Sequence, residues 1–107
     1  LRALRDHFGD ALDLLRETEP CKSLEAGPWA VFIAFANALR RTGAGSRVEQ
    51  LAEASGCSRA TAFRHAATLK EHQILRPLVG ASGRYGVGPR LDAWLETFAR
   101  NRETPAD

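Results

Sequence analysis

The sequence predicts a mainly α (α+β) domain, several helices with one small β-hairpin, and three observations lead to it. Ser46 to Leu75, SRVEQLAEASGCSRATAFRHAATLKEHQIL, reads as a helix, a tight turn and a second helix. The next stretch, RPLVGASGRYGVGP, alternates about central glycines as a two-stranded hairpin does. Basic side chains gather on this same unit: residues 28–90 hold nine basic and three acidic, a balance of +6, while 1–27 and 91–107 each come to −2. A helix-turn-helix followed by a two-stranded hairpin is a winged helix-turn-helix, here with extra N- and C-terminal helices.

The elements follow in order. Leu1, Leu4, Phe8, Ala11 and Leu15 recur at three and four residues, one stripe of a helix that Pro20 stops near Glu19. This stripe either packs on the domain or pairs with its copy in a second subunit. Residues 1–27 are therefore an N-terminal helix and connector, a candidate dimerisation element. Gly27-Pro28 opens the next helix, with Pro28 where a missing N–H costs nothing. Within WAVFIAFANAL, Trp29 to Leu39, Asn37 is the one polar residue, so that helix is buried on more than one side. Arg40 and Arg41 suit its negative end, and Gly43 and Gly45 close it.

Ser46 with Glu49 forms a capping-box pattern, so a helix starts near Arg47, and Gly56 ends it with a left-handed residue. Ser58 caps the following helix. Ala62, His65 or Ala66, and Leu69 point inward, leaving Arg59, Ala60, Thr61, Phe63, Arg64 and Thr68 on the opposite face. Gln73 breaks the helix before a strand from Ile74 to Val79, in which Pro77 must face away from the ladder. Gly80 to Gly83 turns, Arg84 to Val87 returns, and residues 28–90 close the winged unit. Gly88-Pro89 starts a last helix carrying Leu91, Trp94, Leu95 and Phe98, and the polar stretch from Arg100 frays. Residues 91–107 form this helix and tail.

Composition narrows the function. At 107 residues and 44% hydrophobic, the chain supports one core. Its longest apolar run, Trp29 to Ala36, is far below the ~20 residues of a membrane span. No signal peptide precedes it, and two distant cysteines suit reduced thiols in a cytoplasm. The chain opens on Leu1 without Met, as a piece of a longer protein would. Cys57, His65 and His72 match no zinc spacing, and Cys57 is expected as a small buried hydrophobe. Cys21 is expected to be an exposed thiol. With no nucleophile-base pair, phosphate loop or metal box, neither an enzyme nor a cofactor or metal is expected.

LAEASGCSRATAFRHAATLKEHQIL followed by GRYGVGPRL resembles the DNA-binding domain of the isocitrate-lyase-regulator (IclR) family of bacterial repressors and activators. The resemblance is carried by Thr61-Ala62-Phe63-Arg64, Leu69 and Arg84 to Leu91, and spans about residues 29–95. It implies double-stranded DNA as partner and transcription regulation as role. The family's long C-terminal effector domain has no counterpart in this chain, so no small-molecule effector is expected within it. A glycine is usual where Gln73 stands, a large aliphatic where His65 stands, and the N-terminal helix is additional.

The expected DNA contacts are Arg47, Ser58, Arg59, Ala60, Thr61, Phe63, Arg64, Thr68, Arg76 and Arg84. Arg59 and Arg64 can reach guanine O6 and N7 with two nitrogens. Arg47, Arg76 and Arg84 suit phosphates, which position without reading sequence. Phe63 meets a thymine methyl or the backbone, or packs on the wing. A homodimer is expected through Leu1, Leu4, Phe8, Leu15, Trp29, Trp94 and Phe98. A protein-docking module and a DNA-binding part of a plasmid replication or partition complex remain as alternatives.

Overall fold

The computed structural model describes residues 8–19, 21–43, 45–80 and 83–103. Leu1 and Leu4, assigned above to a dimer stripe, lie outside them. The described elements run α1 (Phe8–Arg16), a short 3-10 turn (Cys21–Ser23), α2 (Ala26–Thr42), β1 (Ser46–Arg47), α3 (Val48–Ser55), α4 (Arg59–Glu71), β2 (Leu75–Pro77), β3 (Arg84–Val87) and α5 (Pro89–Glu103).

α2 is the central strut, and its nearly all-apolar sequence explains why. Val31, Phe32, Ala34, Phe35, Ala36 and Leu39 are all buried, against α3 and α4 among others. The helix begins at Ala26, earlier than Gly27-Pro28 suggested, which places Pro28 third in it. The ring nitrogen still loses no bond there, because the first turn has no intrahelical acceptors to meet. Gly43, at φ 71°, ends α2 and donates its N–H to the Leu39 carbonyl at 2.8 Å.

α1 ends at Arg16, three residues before the expected stop near Glu19, because the chain tightens: Glu17 N–H donates to Leu14 O and Thr18 N–H to Leu15 O. Arg16 then pins the connector, donating from Nη1 to the carbonyls of Cys21 (2.6 Å) and Leu24 (3.1 Å) and lying 4.7 Å over the Trp29 ring. A second cation, Arg40 on α2, lies 4.2 Å over Phe8. Cys21 is not the exposed thiol expected but 1% exposed, because these contacts fold the connector over it. Burial pushes its pKa up to about 11.

The sheet has three strands, in the order β1-β3-β2, where a two-stranded hairpin was expected. β1 pairs antiparallel with β3, Ser46 opposite Tyr85 and Arg47 opposite Arg84. Ser46 is thus a strand residue rather than the expected cap. Arg47 takes the cap position, and its N–H donates to Gln50 Oε1 at 2.9 Å. β2 is shorter than the expected Ile74 to Val79. Leu78 N–H donates to Arg84 O and Gly88 N–H to Ile74 O, so the alternation leaves the Pro77 nitrogen on the open edge, where it was expected.

α5 leaves the wing at Gly88, where a side chain would collide with the Gln73 carbonyl. Leu91, Leu95 and Phe98 bury its inner face. The helix continues to Glu103, past Arg100 where fraying was expected.

Candidate nucleic-acid interface

α3 and α4 form the helix-turn-helix. Gly56 turns the chain at φ 73°, and its N–H returns to carbonyls at the end of α3, as does that of Cys57 to Ala52 O at 3.1 Å. Two residues later Ser58 caps α4, its Oγ accepting from the Thr61 N–H at 3.1 Å. Ala62, Ala66 and Leu69 are each 0% exposed. The two alanines let α4 settle close onto α2 and α3, and Leu69 completes the covered face. His65 is half-buried, and a side chain on Gly27 would strike its ring.

The opposite face is the open one. Arg59, Ala60, Phe63 and Arg64 are exposed, and Thr61 and Thr68 half-buried. The Arg64 side chain makes no hydrogen bond or ion pair with the described residues. Arg59 does: its Nε donates to Glu49 Oε2 at 3.2 Å, bridging the two helices across open surface. Ser58 Oγ donates to Thr61 Oγ1 at 2.9 Å, leaving the Thr61 hydroxyl hydrogen free to donate outward. The Thr68 hydroxyl folds back onto the Arg64 carbonyl at 3.3 Å.

The wing flanks this face. Arg76 on β2 and Arg47 before α3 are exposed. Arg84 is half-buried, and its Nη1 donates to the Gly45 carbonyl at 2.7 Å, so part of its guanidinium serves the fold. Phe63 is 57% exposed and shares a hollow with Val48, Arg59, Pro77, Leu78, Gly83, Arg84 and Tyr85. That hollow joins the open face of α4 to the wing.

Sequence reasoning missed two features beside this face. Glu49, read as a cap residue, holds Arg59. Val79, read as strand, stands fully exposed beside the wing turn; its place next to Gly80 was the available signal. Of the residues assigned to dimerisation, Leu15 and Phe98 are buried in this chain's own core, while Phe8, Trp29 and Trp94 are half-buried around it. Leu14, 45% exposed, lines a groove between α1 and α5 with Glu17, Thr18, Trp94, Thr97, Phe98 and Asn101. Among the described residues no helix is long and apolar enough to cross a membrane, and no three His, Cys, Asp or Glu side chains gather as metal ligands would.

Comparison with known proteins agrees with this architecture. Residues 37–78 match the IclR helix-turn-helix domain, a span that begins in the second half of α2 and ends just after β2. A search of curated proteins finds no match. Among solved structures the chain is similar to BpsR of Bordetella bronchiseptica, described in a study of the regulation of its DNA binding by 6-hydroxynicotinic acid. The two share 18% identity at a TM-score of 0.53, over 95% of this chain and 73% of that one. Residues 37–78 are thus similar to an IclR-type helix-turn-helix, and they sit within a winged fold.

Proposed function

We propose that this IclR-type helix-turn-helix binds double-stranded DNA site-specifically, as the reading unit of a cytoplasmic transcriptional regulator. The observation that carries the proposal is the two-sidedness of α4. Ala62, Ala66 and Leu69 are fully buried, while Arg59, Phe63 and Arg64 stand exposed on a helix whose start is fixed by Ser58. An ordered helix with a basic N-terminal half is what the major groove admits.

Arg64 and Arg59 read base edges, with Thr61 as a further donor. Phe63 meets a thymine methyl or sugar at the mouth of the wing hollow. Arg47 and Arg76 hold phosphates on either side, and Val79 brings the wing tip against the backbone. Ala60 allows close approach, while Ser58, Thr68 and Arg84 act mainly through the fold, given the bonds they already make.

The protein acts as a homodimer joined through α1 and α5. Leu15 and Phe98 support that surface from beneath, and the groove-lining Leu14, Trp94, Thr97 and Asn101 meet the partner. A two-fold dimer of such domains recognises a pseudo-palindrome with half-sites about one helical turn apart. Selection from a pool of random duplexes tests this: paired half-sites are expected, and recovery of single, unpaired half-sites rejects the dimer.

A further inference from the structure

We propose that a second concavity, between α2, α3 and β1 and lined also by Arg84 of β3, is a binding site for a small organic carboxylate carrying one ring. It is formed by Ala34, Ala38, Arg41 and Thr42 of α2, by Gly45 and Ser46, and by Gln50, Leu51 and Ala54 of α3. Its volume of about 210 Å³ exceeds the ~150 Å³ that holds a benzene ring.

Charge and hydrogen-bond capacity select the ligand. Two guanidiniums, Arg41 and Arg84, line the hollow, and no carboxylate does. Three of its acceptors are taken: the Ala38 carbonyl by the Thr42 hydroxyl, the Gly45 carbonyl by Arg84, and Gln50 Oε1 by the Arg47 N–H. Its donors remain. Arg41 has no partner among the described residues, Arg84 uses only Nη1, and the Gln50 amide hydrogens are uncommitted.

Ser46 is the second sign. It is 2% exposed, yet its hydroxyl makes no hydrogen bond with the described residues. No fully buried side-chain oxygen lacks a partner there, so the Ser46 hydroxyl must reach open space, and the space it borders is this hollow. A cluster of unspent donors at a cationic rim calls for an anion. Ala34, Ala38 and Leu51 supply an apolar floor, with the exposed Ala54 at the mouth, which calls for an organic body behind that anion. The concave shape admits a small molecule, with Arg41 and Gln50 exposed at its edge.

The test uses the full chain without DNA, so it stands or falls apart from the DNA-binding proposal. Isotope-labelled protein is titrated with sodium benzoate, benzamide and inorganic phosphate while backbone amide signals are followed. Saturable shifts are expected with benzoate at Ala38, Ser46, Gln50 and Ala54. Benzamide, lacking the charge, should bind about tenfold more weakly, and phosphate, lacking the ring, more weakly than benzoate. Arg41→Gln, at an exposed position, should weaken benzoate about tenfold, and Ala54→Leu should block it by filling the mouth. Shifts that do not saturate, equal binding of benzamide, or wild-type affinity in both variants would overturn the site. Phosphate binding tighter than benzoate would overturn it too, in favour of a contact for nucleic-acid backbone.

Discussion

Arg59 and Arg64 lie five positions apart on one helix, and their surroundings give them different work. The Arg64 side chain is unpaired among the described residues, so on the proposed reading it meets DNA ready to bond. Arg59 must first leave Glu49, but an exposed ion pair is worth only about 0.2–1 kcal/mol, less than the ~1–3 kcal/mol of a two-nitrogen guanine contact. Arg64→Ala should therefore cost about 1–3 kcal/mol of discrimination between target and mismatched duplex, measured by competition binding. Glu49→Gln should leave discrimination intact and strengthen binding by no more than about fivefold, by removing that pair and one negative charge. A large loss of affinity in Glu49→Gln would show that the bridge is needed to aim Arg59.

Cys21 gives a residue-scale prediction with a pH window. Its folded pKa of about 11 lies above the ordinary 9.0, because burial disfavours the thiolate. Its contribution to stability is therefore complete below pH 9, where neither state ionises, and is lost as pH rises from 9 toward 11, where only the unfolded chain ionises. Cys21→Ser, compared with wild type by denaturant unfolding at pH 8 and pH 10.5, should lack that share of the decline. At pH 8 a thiol reagent should modify the half-buried Cys57 first.

At the scale of elements, two short segments govern α4. The Ser58 cap fixes its start, and Ser58→Ala should cost about 1 kcal/mol of stability in thermal or denaturant unfolding. Its end passes through Gln73 at φ 62°, a conformation side chains disfavour and glycine does not. Gln73→Gly should stabilise the protein by about 0.5–1 kcal/mol. Destabilisation instead would mean that the Gln73 side chain contributes more than its backbone strain costs.

These positions also show what was legible. The caps at Gly56 and Ser58, the Ala62, Ala66, Leu69 stripe and the α5 stripe could be read because their signals are local, set by neighbours within one turn. The unusual residue at 73 was legible too, as a departure from a familiar pattern. β1 was not. A two-residue strand has no periodicity, and Ser46 and Arg47 become a strand only because Tyr85 and Arg84, nearly forty residues on, lie beside them. The Arg84 bond to Gly45 and the Arg59 bond to Glu49 are hidden in the same way, so the reading of charged residues as free was more uniform than the molecule is.

At the scale of the whole molecule, charge and shape divide the work. The basic excess of residues 28–90 suits a polyanion, and the acidic ends, which DNA would repel, are the parts that the proposed dimer joins. Leu14→Asp with Trp94→Asp, at partly exposed positions lining the α1–α5 groove, should shift the protein to monomer in sedimentation and weaken binding to paired half-sites far more than to one. An unchanged dimer would place the subunit contact elsewhere.

The most direct test of the central claim is binding of wild type and the Arg59→Ala/Arg64→Ala double variant to fragmented genomic DNA across a salt series. Wild-type affinity should fall steeply with salt as counterions are released, and the variant should keep residual binding but lose its preference among fragments. Feeble, salt-insensitive binding by both proteins would contradict it, and would make the exposed face of α4 a docking surface for another protein.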